Sequence, residues 1–250
     1  ARSNRANLLI QLGDFARAEK DLDYLVNKVP NHPDLWVALG LARHKVGKLR
    51  EAMPCNERAL TLVPNHPDAL LNSSGVAYDR SEYPEALAWA ERAIAATPMR
   101  AEAHYAKGQA LMALSRLNEG IKSLERSCEL DARDAYAFLK LGAGYLQASR
   151  YEAAISAYET ALNLMPGDAL VYGALGECYL TVGKIDQAIS ALKAATDLQP
   201  ESVTALINLG VAYGRANLYE LSLACNERAL EIDRNNPHAI SNAAGAYSAL

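Results

Sequence analysis

The side chains able to do chemistry in this 250-residue chain are few and scattered. Histidine occurs at His32, His44, His66, His104 and His238, and cysteine at Cys55, Cys128, Cys178 and Cys225. The cysteines form no CxxC pair and no zinc pattern, so they read as reduced, packed thiols that behave as small hydrophobes. His32 and His66 occupy the same place in two copies of the hexapeptide VPNHPD, 34 residues apart, and His238 opens another helix at the same period. Repetition accounts for these better than a site does. No HExxH, glycine-rich phosphate loop, GxSxG elbow or acidic calcium loop occurs. The groups an enzyme needs are missing rather than unpaired. The expectation is therefore a chain that is no enzyme, with no catalytic residue, no metal and no cofactor.

The elements that carry these residues recur. Prolines stand at Pro30, Pro64, Pro98, Pro166 and Pro200, all on one 34-residue period. Counting a unit from Pro33, small residues hold fixed places. The eighth place is Gly40, Ser74, Gly108, Gly142, Gly176 and Gly210, and the twentieth is Ala52, Ala86, Gly120, Ala154, Ala188 and Ser222. Between them run apolar residues at helical spacing, as in Phe138, Leu141, Gly142 and Tyr145. Small residues at fixed places on two helices imply close crossings that a longer side chain would block. Self-similarity at this period marks a stacked repeat array.

Composition narrows the function. The net charge of -4 and a pI near 5.8 argue against general nucleic-acid binding, which begins with a positive surface. No apolar run reaches about 18 residues, so membrane insertion is not expected. The cysteine usage favours a reducing, cytoplasmic location. The opening ARSNRANLLIQ has neither an initiator methionine nor a signal-peptide profile, and reads as a piece excised from a longer protein.

Trp36-x-x-Leu39-Gly40, followed by Ala52 and Pro64, resembles the tetratricopeptide repeat signature, and Phe138, Leu141, Gly142, Tyr145, Ala154, Tyr158 and Pro166 match nearly every element of it. The resemblance covers the whole chain as a single array: units 1–32, 33–66, 67–100, 101–134, 135–168, 169–202 and 203–236, then a lone helix 237–250. It implies an all-α, right-handed superhelical solenoid of stacked antiparallel helix pairs. Four local departures stand out. Glycine and tyrosine fall one place late at Gly75 and Tyr78, and glycine again at Gly245, which predicts altered helix rotation. Pro54 falls inside a helix, where it removes a hydrogen bond or delays the helix start. Lys107 and Arg5 replace an apolar residue, and Lys107 is expected to snorkel.

The resemblance also implies that the second, fifth, sixth, ninth and twelfth places of each first helix line a concave groove. Those places bring Tyr78, Tyr105, Met112, Tyr136, Leu139, Leu146 and Leu180 forward as an apolar patch, the kind of surface that marks a peptide or helix groove, unless neighbouring helices cover it. Asn72 and Asn208, with Lys140 between them at the same place, offer a broken asparagine ladder able to hold a peptide backbone. The lysine, asparagine and arginine clamp that some members use for a terminal carboxylate is absent. Asp34, Asp68 and Glu102 stand at the groove edge and would repel an acidic peptide. The expected function is a non-catalytic scaffold whose partner is another protein. The alternatives are the substrate-recruiting arm of a larger enzyme, for example a protein glycosyltransferase, and a self-assembling array. In the last, the unpaired helix 237–250 exposes Ala243, Ala244 and Tyr247.

Overall fold

The computed structural model describes residues 2–250. Fifteen α-helices follow one another, and no strand occurs among the described residues. They are α1 (Arg2–Gln11), α2 (Phe15–Lys28), α3 (Pro33–Lys45), α4 (Leu49–Leu62), α5 (Pro67–Asp79), α6 (Tyr83–Ala96), α7 (Ala101–Ala113) and α8 (Leu117–Leu130). Then come α9 (Ala135–Gln147), α10 (Tyr151–Leu164), α11 (Ala169–Thr181), α12 (Ile185–Leu198), α13 (Val203–Arg215), α14 (Tyr219–Ile232) and α15 (Pro237–Ala249). From α3 onward every odd helix has 13 residues and starts 34 after the last, and every even one from α2 has 14. The chain divides into two compact units, Ala1–Ala132 and Arg133–Leu250.

Local chemistry sets the helix ends. Pro33, Pro67 and Pro237 sit in the first turn, where a missing N–H costs least. Asp134, Asp168, Ser202 and Asn236 cap α9, α11, α13 and α15 by accepting backbone N–H bonds. His66 caps α5 the same way, through Nδ1 to the Ala69 N–H. Each tight turn inside a unit puts one residue in the left-handed region: Gly13, Gly47, Ser81, Ser115, Ser149, Gly183 and Asn217, all 34 apart. A Schellman bond closes each of these turns, for example Lys48 N–H to Arg43 O at 2.8 Å and Arg150 N–H to Tyr145 O at 2.8 Å. Three of the seven are serines, a residue that pays a steric cost there where glycine pays none.

Packing rests on one repeated contact. A Cβ built on Gly142 would meet Tyr158 ring atoms at 2.7 Å; on Gly108 it would meet Leu124 at 2.7 Å, and on Gly176 Leu192 at 2.4 Å. Gly40 and Gly210 stand equally close to Asn56 and Asn226. The eighth place is therefore the socket for the twenty-fourth. Where the socket holds the larger Ser74, the twenty-fourth place shrinks to Ala90, and both are buried. Asn56 and Asn226 belong to identical CNERAL segments, and both are fully buried.

The structure revises several expectations. α5 has the bounds of α3 shifted by 34, so the late Gly75 does not move the helix ends. Ser74 keeps the socket, its hydroxyl donating to Ala86 O at 2.8 Å, while Gly75 lies under His44. Pro54 does not delay α4, which starts at Leu49 on period, so its effect is one absent backbone donor. Lys107 reaches out to Glu91 at 2.9 Å, as a snorkelling lysine would. On α15, Ala243 is buried at 7%, whereas Ala244 is exposed and Tyr247 is 60% exposed, its hydroxyl donating to Glu227.

Candidate functional site

Within each unit the odd-numbered helices approach one another. α3 touches α5 and α5 touches α7 in the first unit; α9 touches α11, α11 touches α13 and α13 touches α15 in the second. Successive even-numbered helices make no comparable contact among the described residues. Each stack is thus tighter on the odd-helix side, and that side carries clefts in both units, including one of about 300 Å³ between α13 and α15 lined by Gly214, Arg215, Ser241 and Asn242.

The first cleft, of about 310 Å³, lies along α5 and α7 and reaches His44 on α3. Its walls include Asn72, Tyr78, Asp79, Glu102, Tyr105 and Gln109. Asn72 is half-buried and donates from Nδ2 to Val37 O at 3.3 Å, tying α5 to the preceding odd helix. The Gln109 amide donates to the Tyr105 hydroxyl at 3.0 Å. The Tyr78 ring packs 5.4 Å from Tyr83, tilted by 59°. Burial, reinforced by Tyr83 and Asp79, holds the Tyr78 phenol above the ordinary tyrosine range, so it stays a neutral hydrogen-bonding group. His44 Nε2 lies 2.6 Å from Asp79 Oδ2 and links the ends of α3 and α5. Arg100, at the start of α7, bridges Asp68 at 2.6 Å and Glu102 at 3.4 Å.

The second cleft, of about 240 Å³, is shallower in chemistry. Leu170, Gly173, Ala174 and Glu177 of α11 face Thr204 and Asn208 of α13. Leu170 is 74% exposed at its rim.

Of the residues singled out from sequence, Asn72, Tyr78 and Tyr105 share the first cleft, and Asn208 lines the second. The others stand elsewhere. Met112 folds back over Gly120. Leu180 is 6% exposed in the core of the second unit, and Leu139 and Leu146 pack half-buried against that core. Neighbouring helices cover Leu180, whereas Leu139 and Leu146 give only part of their surface to the stack. Tyr136 is 60% exposed and Lys140 half-buried, neither of them on a wall of the two clefts described. Gln109 and Leu170 were missed as individuals, although both fall on the ninth or second place of the same pattern. Asp79, at the thirteenth place, lies outside it and left no sequence signal.

Two histidines tie neighbouring segments together: His66 Nε2 contacts Asp34 at 2.9 Å, and His104 Nε2 contacts Pro98 O at 2.9 Å. Among the described residues no group of three histidine, cysteine, aspartate or glutamate side chains could hold a metal ion, and no helix is long and apolar enough to cross a membrane.

Family profiles described as tetratricopeptide repeat match residues 3–67 and 105–169, 145–206, and 203–236. A profile for anaphase-promoting complex, cyclosome, subunit 3 matches residues 45–127. No curated protein matches the chain significantly. Among solved structures, a chain of the APC/C hetero-tetramer Cut9-Hcn1 superposes with a TM-score of 0.70 at 20% identity, covering 96% of this chain and 48% of that one. This chain therefore spans about half the length of that relative. The C-terminal part of a TPR repeat-containing protein from Cytophaga hutchinsonii gives a TM-score of 0.70 at 16% identity, covering 96% of this chain and 98% of that one. YrrB, described as a TPR protein with an unusual peptide-binding site, gives 0.61 at 22% identity over 74% of this chain and 95% of its own. At these identities the structures speak for the fold alone.

Proposed function

Because the chain belongs to the tetratricopeptide repeat family, we propose that it is a non-catalytic scaffold that takes an extended peptide or helix of a partner protein against its odd-numbered helices. One observation carries this reading: the second, fifth, sixth and ninth places of consecutive odd helices recur in the walls of both clefts, joined in the first by His44, Ser74, Tyr78 and Asp79 and in the second by Ala195 and the turn residues Gln199 and Ser202. A surface generated by the repeat can be engaged, in either unit, by a segment running along it. Asn72 in the first cleft and Asn208 in the second each supply an amide group for a peptide backbone, and the two tyrosines of the first cleft supply contact area at little entropic cost. The peptide-binding site named for YrrB and the assemblies named for Cut9 and for subunit 3 are compatible with this role, including that of one subunit within a larger complex.

The test is selection of a random dodecapeptide phage library on the purified chain, followed by fluorescence polarisation of the recovered peptides. Binding should fall at least tenfold in the Tyr105→Ala, Asn208→Ala double variant. Recovered peptides that bind this variant as tightly as the parent would place the partner surface elsewhere.

A further inference from the structure

The two clefts differ in charge, and the difference specifies a ligand. On the inward places of α3, α5 and α7 stand Asp34, Asp68 and Glu102, with no lysine or arginine among them. Of these Glu102 lies on the wall of the first cleft, where Asp79 adds a second carboxylate. Nearby cations answer only part of this. Arg100 engages Asp68 and Glu102 together, and the bond from His44 to Asp79 uses Oδ2. The Asp79 and Glu102 side chains keep 53% and 65% of their exposure and remain reachable from solvent. Between them the cleft presents Tyr78 and Tyr105, whose π-faces attract cations. Its volume of about 310 Å³ is at the floor of the range of about 300–1,000 Å³ spanned by small-molecule sites, a fit for one long side chain. The second cleft is nearly neutral: Glu177 is its one charged wall residue, beside glycine, alanine, threonine and asparagine.

We infer that the first cleft receives a lysine or arginine side chain of the partner segment, its stem along the tyrosines and its charge toward Asp79 and Glu102. This rests on the odd-helix face being the peptide surface. An acidic side chain there would be repelled by these carboxylates and is selected against.

The experiment uses the peptides selected on the whole chain. Their aligned sequences should be enriched in lysine or arginine at one position. Replacing that residue by glutamine should weaken binding about fivefold or more, the combined scale of a cation–π contact and a partly exposed ion pair. The chain variant Asp79→Asn, Glu102→Gln should discriminate lysine from glutamine about twofold or less. Circular dichroism confirms its fold, since both changes are isosteric and on the surface. Peptides that are neutral or acidic throughout, yet still depend on Tyr105 and Asn208, would overturn the charge inference and leave the groove intact. Recovery of no peptide, or of peptides indifferent to Tyr105 and Asn208, would overturn both.

Discussion

Replacing Gly142 by serine should destabilise the chain, and shortening Tyr158 to alanine alongside it should recover part of the loss. One socket sets both effects. A Cβ at residue 142 would stand 2.7 Å from Tyr158 Cδ1 and Cε1, and Tyr158 is 3% exposed. Overpacking of this kind costs about 1–3 kcal/mol, while leaving glycine within a helix returns about 0.5 kcal/mol. Gly142→Ser alone should therefore lose about 1–2 kcal/mol. Tyr158→Ala alone opens a cavity and should lose about 3–5 kcal/mol, as aromatic truncations do. The double variant reproduces the pairing found naturally at Ser74 and Ala90. It should be at least about 1 kcal/mol more stable than the sum of the single losses predicts. Urea denaturation followed by circular dichroism on the four proteins gives the coupling. Strict additivity would refute the claim that the eighth and twenty-fourth places are packed against each other as a pair.

Three other outcomes follow. Ser81, Ser115 and Ser149 hold φ of 62°, 60° and 56°, so exchanging any of them for glycine should raise stability by about 1 kcal/mol in the same denaturation assay. Arg43 bonds Asp23 at 2.7 Å and lies 3.5 Å from Glu19, which is only 7% exposed; Arg43→Met should cost about 1–3 kcal/mol by leaving these acids less satisfied. Burial pushes the Cys178 thiol up from 9.0 to about 11. The folded state thus holds its proton where the unfolded state releases it. Its stabilising contribution is full below about pH 9 and lost as pH rises toward 11, so the wild-type melting temperature should fall over that window more steeply than that of Cys178→Ala.

The helices were legible because the determinants are local and periodic. Turn prolines, the eighth-place glycines and the apolar spacing repeat at 34 residues, and each copy votes for the same geometry. Gly75 misled because a glycine count cannot tell a socket from a neighbour one residue on; the buried Ser74 hydroxyl bond to Ala86 decides it. The site was harder for a physical reason. Membership of the inward face follows from helical phase, and Asn72, Tyr78, Tyr105 and Asn208 lie on cleft walls. Exposure depends instead on how far the next helix leans over. Leu180 and Tyr78 hold the same place in their units, yet one is core and the other lines a cleft. Asp79 was invisible because its position follows from its contact with His44 on another helix.

The central claim is that a partner segment lies on the odd-numbered helices. Placing the photocrosslinking residue p-benzoylphenylalanine at Ala106 or Thr204, on the walls of the two clefts, and at Arg126 or Lys193, on the even-numbered helices, tests it with a selected peptide. Covalent peptide adducts are expected at residue 106 or 204, according to the cleft a given peptide occupies, and none at 126 or 193. Adducts confined to the even-numbered helices would contradict it.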